Sequence, residues 1–276
     1  MNSNNTLIKE ADGILFLQYP NLCMLPHIRH AASTRVGGVT DTPHLASMNL
    51  GVNTGDTREN LMENYARFCK AVEIPAEDLV FSSQFHNANI RDVTQSDRGK
   101  GLINPMDYQD VDGLVTDCLD TALTVFSADC VPILFADTLR RAIGAAHCGW
   151  GGTIKNLAGK MVETLHARYA CRPEDLQIAI GASIHRCCYE VSKELYEQFL
   201  HTFPFLQNTE AVLLEHGSYY LDLPDINRQI LMEHGVPKSS IFVSDLCTCC
   251  NKDTLFSHRG SAGKRGIMAN IITMCR

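Results

Sequence analysis

The sequence predicts an α+β fold, a layered α-β sandwich with mixed β-sheets. Short apolar runs bounded by turn-prone residues recur through the middle of the chain and are typical of buried strands. Stretches with apolar residues at helical spacing lie among these runs. The strands and helices do not alternate strictly, which argues against a doubly wound parallel sheet.

Each predicted element follows from a local pattern. The first helix is predicted to begin at Asp56, which forms a capping pair with Glu59. Gly235 is predicted to end the last helix. The predicted helices span Asp56–Val72, Thr153–Tyr169, Val191–Leu200 and Pro224–His234. The predicted strands span Leu79–Ser82, Thr121–Ser127, Val131–Ala136, Ala142–Ala146, Gln177–Ile180, Tyr220–Leu223, Thr254–Ser257 and Ile267–Met274.

The composition is that of a globular protein with a sizeable core. Of 276 residues, 45% are hydrophobic and 20% are charged. The net charge of -7 argues against nonspecific nucleic-acid binding, which requires a basic face. No internal repeat, low-complexity tract or linker marks a boundary, so we predict a single catalytic domain over residues 1–276.

The chain shows no targeting signal in its first residues, which are polar and rich in Asn. No apolar run reaches the ~18 residues that a membrane span needs. We therefore expect a cytoplasmic protein with no membrane partner. In that reducing compartment the twelve cysteines are expected to be thiols, core residues or metal ligands, with no structural disulfide.

Cys130 and His147 are the first candidates for chemistry, because both stand at the ends of predicted strands. Two interpretations remain open. One is a Cys–His nucleophile in which Asp129 or another group orients the His. The other is a metal site with His86 as the third ligand, and two His with one Cys suit zinc. Three protein ligands with one open position are typical of catalytic zinc.

A glycine-rich turn at Gly149, Gly151 and Gly152 resembles an anion cradle, because it leads into a predicted helix. A plain tight turn is the alternative. Arg35 and the segment Arg259–Arg265 offer guanidinium groups for a phosphate.

Cys247 and Cys250 form a CxxC motif. A zinc ribbon needs a second pair at matching spacing, and Cys187 and Cys188 are adjacent. The sequence therefore does not predict a zinc ribbon at these cysteines, and a redox role is disfavoured because the motif does not begin a predicted helix.

The order and spacing of many motifs resemble the laccase-domain proteins, long named polyphenol oxidases and now treated as purine nucleoside phosphorylases. The motifs that carry the resemblance are Ser33–Val39, Met48–Gly51, Asn60, Gln84–His86, Asp112–Thr116, Ser127–Pro132, Ala145–Trp150, Cys187–Val191, Cys247–Thr248 and Phe256–Arg259.

The resemblance implies one zinc per chain, held by His86, Cys130 and His147. It also implies phosphorolysis of adenosine, inosine and methylthioadenosine, adenosine deamination, and a layered α-β sandwich. The expected partners are purine nucleosides and phosphate, and the sequence leaves the oligomeric state open.

Three positions depart from the family pattern. Gly151 and Gly260 stand where the family usually has Arg, and Asn87 stands where it usually has Gly. We expect the missing arginines to weaken phosphate binding, so that deamination outweighs phosphorolysis and Gly151→Arg shifts the balance toward phosphorolysis.

Three other functions compete with a nucleoside enzyme. A copper-dependent polyphenol oxidase is disfavoured because the trinuclear copper site uses paired H-x-H ligands, and this chain has no H-x-H. A cysteine hydrolase acting on peptidoglycan precursors would use Cys130 as its nucleophile. A non-catalytic binding protein would have lost its activity with the arginines.

Overall fold

The computed structural model describes Met1 and residues 3–275. Strands β1 to β15 of this described part span Leu7–Ala11, Ile14–Gln18, Ile28–Ser33, Leu79–Phe81, Ile90–Asp92, Gly113–Thr116, Ala122–Ser127, Val131–Asp137, Ile143–Cys148, Leu176–Ile180, Glu190–Val191, Val212–Glu215, Ser218–Leu221, Ile241–Val243 and Met268–Met274. Its helices α1 to α6 span Pro20–Cys23, Arg58–Val72, Trp150–Ile154, Leu157–Tyr169, Lys193–Thr202 and Leu223–Glu233.

Two six-stranded sheets form the centre of the fold. The first has the order β1-β2-β3-β15-β7-β4 and the second β14-β10-β8-β9-β6-β5, while β11-β13-β12 form a smaller third sheet. Both large sheets are mixed. In the first, β7 pairs antiparallel with β15 and parallel with β4. In the second, β10 pairs antiparallel with β8 and parallel with β14. The predicted fold class with mixed sheets is confirmed.

The layers of the fold follow from β8, whose successive side chains belong to two different cores. Ile133 and Phe135 belong to the core that also contains residues of α4 and α6, whereas Leu134 and Ala136 belong to the core between the two sheets. Successive side chains of a strand point to opposite faces, so β8 is buried on both sides. Helix α2 covers the outer face of the first sheet through a separate core that includes Phe68. The result is a sandwich of helix, sheet, sheet and helix.

Several local predictions need correction. The helix predicted over Thr153–Tyr169 is interrupted, because Asn156 adopts a left-handed conformation (φ 62°) between α3 and α4. The predicted strand Thr254–Ser257 is wrong, since this segment is a turn whose Leu255 N–H donates to the Asn251 carbonyl at 2.9 Å.

The start of α2 also differs from the prediction. Thr57 is the N-cap residue and accepts a hydrogen bond from the Asn60 N–H at 3.1 Å. Asp56 instead accepts hydrogen bonds from the side chains of Thr40 and Asn49. The sequence did not predict strands β1, β2, β3, β5, β6, β11, β12 and β14, and it placed Val191 of β11 in the helix that follows.

Candidate metal centre

The three predicted metal ligands meet where the chain crosses between the two large sheets. Cys130 lies in the short connection from β7 in the first sheet to β8 in the second. His86 lies on another of these crossings, from β4 to β5. His147 belongs to β9, and its register partner Pro132 is two residues beyond Cys130. Strand pairing therefore brings together residues that are far apart in sequence.

The ligand atoms of His86, Cys130 and His147 all lie within 4.8 Å of one another. The two imidazole rings are 4.9 Å apart between centroids and inclined at 67°. This spacing suits a single ion with metal–ligand distances of about 2.0–2.3 Å. His147 is buried, Cys130 is partly buried and His86 is exposed, so one side of the cluster is open to an incoming molecule.

Asp112 holds two of the three ligands in place and was not identified as a site residue from the sequence. Its fully buried carboxylate accepts hydrogen bonds from the backbone N–H groups of Phe85, His86 and Asn87 at 3.0–3.1 Å. It also lies 2.8 Å from Nδ1 of His147. With Nδ1–H donating to Asp112, Nε2 of His147 is left to bind a metal. The signal in the sequence was a carboxylate directly before the apolar run of β6.

Cys130 and His147 shift each other's pKa in opposite directions. Burial opposes the Cys130 thiolate, but the charge and hydrogen bonds of His147 and His86 outweigh it and lower the Cys130 pKa to about 6. Burial also opposes the His147 imidazolium, while Cys130 and Asp112 raise its pKa to about 9. A thiolate at neutral pH is the form of cysteine that binds metals or attacks an electrophile.

Position 149 must be glycine because the ligands leave no room there for a Cβ atom. A Cβ at this position would lie 2.8 Å from Nδ1 of His86 and 2.9 Å from Sγ of Cys130. Its φ of -64° is open to any residue, so contact with the ligands, and not backbone strain, demands glycine.

The cluster opens into a cavity of about 270 Å³. Trp150 and Tyr189 supply aromatic surface, and Arg259 and Arg265 supply positive charge. The guanidinium of Arg259 is already engaged, because it donates to the carbonyls of Cys188 and Glu190 at 3.1 Å. In contrast, Nε of Arg265 is buried without a hydrogen-bond partner in the described part of the chain.

Of the other two predicted catalytic residues, Asp129 lies on the cavity wall and Arg35 does not. The Asp129 carboxylate accepts hydrogen bonds from the Thr248 hydroxyl and the Arg259 N–H, both at 2.6 Å. The Arg35 guanidinium donates to the carbonyls of Ala46 and Lys252 at 2.9 and 2.8 Å.

The glycine-rich stretch is not the predicted turn. Gly149 is the N-cap of α3, and Gly151 and Gly152 are buried inside this five-residue helix. A Cβ on Gly151 would lie 2.7 Å from the backbone carbonyl oxygen of His86. In this backbone Gly151→Arg would displace the metal ligand His86, so the substitution is not expected to restore phosphate binding.

Comparison with known proteins confirms the fold and the family resemblance. Residues 29–275 match the family model described as multi-copper polyphenol oxidoreductase laccase. The chain is 38% identical over 241 residues to purine nucleoside phosphorylase YlmD of Geobacillus stearothermophilus, covering 87% of this chain and 88% of that protein. It is 32% identical over 246 residues to purine nucleoside phosphorylase YlmD of Bacillus subtilis, covering 88% and 87%.

The crystal structure of YlmD from Geobacillus stearothermophilus superposes with a TM-score of 0.87 at 36% identity, covering 97% of this chain and 98% of that one. Within the described residues, no helix combines the length and apolar character that a bilayer crossing requires. The chain therefore belongs to the multi-copper polyphenol oxidoreductase laccase family, in which similar curated proteins are named purine nucleoside phosphorylases.

Proposed function

We propose that this protein is a zinc-dependent enzyme of purine nucleosides, which splits adenosine, inosine and methylthioadenosine with phosphate and also deaminates adenosine. One observation carries the proposal most directly. The cluster of His86, Cys130 and His147 opens into the same cavity as Arg265, whose Nε has no partner among the described residues. A metal-binding set beside an available cation suits a reaction between a nucleoside and an anion.

The ligand set disfavours a hard cation and suits zinc, and since two His and one Cys also bind copper in blue-copper sites, metal analysis has to separate these two metals. Imidazole and thiolate are borderline and soft ligands, and three of them leave the open position of a catalytic site. Asp112 supplies the carboxylate–histidine arrangement that orients such ligands. A zinc ion held there would act as a Lewis acid and would make water nucleophilic at neutral pH.

The chain's own residues would bind and orient the substrates. The exposed indole of Trp150 and the ring of Tyr189 offer flat surfaces for a purine base. Arg265 would bind phosphate beside the ribose. Asp129, which already accepts two hydrogen bonds, would take up and return the proton that the reaction moves.

Arg265 also revises the expectation of weak phosphate binding. That expectation rested on the missing arginines at positions 151 and 260. Arg265 supplies a partly buried guanidinium on the cavity wall. Burial lowers the pKa of Arg265, although the negative charges of Cys130 and Asp129 act in the opposite direction. Arg35 and Arg259 donate to backbone carbonyls and are proposed to hold the surrounding loops.

The lowered pKa of Cys130 favours a second candidate, a cysteine hydrolase with His147 as its base. The two functions differ in what they leave on the protein. A hydrolase forms a covalent acyl adduct on Cys130, which mass spectrometry detects, whereas the nucleoside enzyme forms none. Metal analysis of protein purified without added metal separates zinc from copper, and His147→Ala should empty this centre.

The phosphate assignment is tested by Arg265→Gln. We expect phosphate affinity to fall about 10- to 100-fold, corresponding to the roughly 1.5–3 kcal/mol of a hydrogen bond to a charged group. The measurement is the initial rate of base release from adenosine across a phosphate titration, with deamination followed in the same samples.

Lys264→Gln is the matched control, because it removes a positive charge from the exposed neighbouring residue, which does not line the metal cavity. An unchanged phosphate dependence in Arg265→Gln would show that phosphate binds elsewhere. Absence of any reaction with a panel of nucleosides would refute the proposed function as a whole.

A further inference from the structure

Two pairs of cysteines distant in sequence meet beyond the ends of neighbouring strands. Cys187 and Cys188 follow β10, and Cys247 and Cys250 follow β14. Because β10 and β14 pair in parallel, the loops that follow them both begin at the same end of the sheet. An isolated parallel bridge between Ser183 and Cys247 extends this pairing into the loops. The adjacent spacing of Cys187 and Cys188 had argued against a zinc ribbon, but strand order supplies the proximity that the spacing did not predict.

The four sulfur atoms have the separations of ligands on one ion. The Sγ of Cys250 lies 3.6 Å from that of Cys187 and 3.5 Å from that of Cys188. All four sulfurs lie within 4.8 Å of one another. Tetrahedral zinc with Zn–S distances of about 2.3 Å separates its sulfur ligands by about 3.8 Å. A cluster of several iron ions would have to spread the sulfurs further apart.

We propose that Cys187, Cys188, Cys247 and Cys250 bind a second zinc ion, distinct from the one at the centre of His86, Cys130 and His147. Four thiolates fill a tetrahedral shell and leave no position for a substrate, which is the pattern of a structural zinc site. Cys187 and Cys250 are exposed, so the ion can enter from solvent, while Cys247 is buried and anchors the set to the fold. The expectation of one zinc per chain therefore becomes two.

The loops that carry the four cysteines of this tetracysteine site also carry or contact residues of the cavity wall. Tyr189, next to Cys188, lines the cavity, and Arg259 donates to the Cys188 carbonyl at 3.1 Å. Thr248, next to Cys247, donates its hydroxyl to Asp129 at 2.6 Å. A zinc ion on the four sulfurs would fasten both loops to each other and so fix Tyr189, Asp129 and Arg259. The site would act as a clamp on one wall of the cavity.

The test is the zinc content of protein purified without added metal, together with variants of each site. We expect two zinc ions per chain in the wild type, one in Cys250→Ser and one in His147→Ala. Cys249→Ser is the matched control, because it changes the neighbouring cysteine outside the set of four, and it should retain two. Cobalt substitution provides a second readout, since Cys250→Ser should lose most of the thiolate-to-cobalt absorption and His147→Ala should retain most of it.

If Cys250→Ser fails to fold, Cys187→Ser changes an exposed member of the same set and answers the same question. A zinc content in Cys250→Ser and Cys187→Ser equal to that of the wild type would overturn the proposal. So would iron with acid-labile sulfide, or a loss of two free thiols in denatured, zinc-free protein, which would indicate a disulfide. These results count zinc and thiols, so they stand apart from any failure of the nucleoside assays.

Discussion

Among single residues, Asp112 is as important to the metal centre as the ligands themselves. One buried carboxylate fixes the backbone of the loop that carries His86 and the tautomer of His147. Burial opposes its ionisation, but the hydrogen bonds from His147, Asn87 and Phe85 outweigh that effect and lower the pKa of Asp112. The carboxylate therefore remains charged at neutral pH and provides a negative charge directly behind the ligands.

We predict that Asp112→Asn weakens zinc binding at this centre about 10- to 100-fold, the usual effect of removing a residue that orients a metal ligand. The amide retains the size of the carboxylate but loses its charge and one acceptor oxygen. Competition with a chromophoric chelator measures the affinity. Asp107→Asn is the control, since Asp107 is an exposed carboxylate paired with Lys100. Equal affinities in the two variants would contradict the role assigned to Asp112.

The arginines show how context separates residues of the same type. Arg35 lies over the Phe256 ring and donates to two carbonyls, and Arg259 donates to two others. Arg265 differs because its Nε is buried without a partner among the described residues. The sequence indicated that the segment Arg259–Arg265 could bind phosphate. Only the side-chain contacts show that Arg259 is already hydrogen-bonded and that Nε of Arg265 is not.

Among the secondary-structure elements, the junction from β9 to α3 determines the shape of the metal centre. His147 lies in the strand, Gly149 caps the helix and Trp150 begins it, so ligand, spacer and cavity wall come from four consecutive residues. Helix α3 ends after five residues, and Asn156 redirects the chain into α4.

We predict that Gly149→Ala and Gly149→Ser both lose zinc from this centre, because any Cβ there would press against His86 and Cys130. Serine is a preferred N-cap residue and should support α3 better than alanine. Elemental analysis measures whether each variant retains zinc, and thermal unfolding measures whether the new side chain stabilises the start of α3. Retention of zinc by Gly149→Ser but not by Gly149→Ala would show that capping, and not the space between the ligands, explains the glycine.

At the scale of the whole molecule, the centre depends on the contact between the two large sheets. Cys130 and His86 lie on chain crossings between these sheets, so their positions are fixed only when the sheets pack together. Leu134 is buried in that middle layer, where it packs with residues of both sheets.

We predict that Leu134→Ala lowers the free energy of unfolding by about 2–5 kcal/mol, the usual cost of a cavity in a rigid core. Leu214→Ala is the matched control, since Leu214 is exposed on the small sheet, and it should change stability by less than about 0.5 kcal/mol. Urea denaturation at equal zinc loading measures both values. A loss in Leu134→Ala no greater than in Leu214→Ala would contradict the role of the middle layer.

The sequence by itself determined the elements whose pattern is strong and local. Helices α2, α4 and α6 and strands β7, β8, β9 and β15 were predicted to within a few residues, because long apolar stripes and continuous apolar runs are properties of neighbouring residues. The predicted strand at Thr254–Ser257 failed because Leu255 and Phe256 are buried by a turn, and burial alone does not distinguish a turn from a strand.

The three metal ligands were also named from the sequence, since their residue types and motifs suffice to suggest a zinc set. Only the tertiary structure showed that Asp112 supports them, that Arg265 has a free donor, and that Cys187 and Cys188 meet Cys247 and Cys250. Each of these depends on which segments, distant in the chain, the fold brings together. Those contacts arise from packing over the whole chain, so no local spacing of residues encodes them.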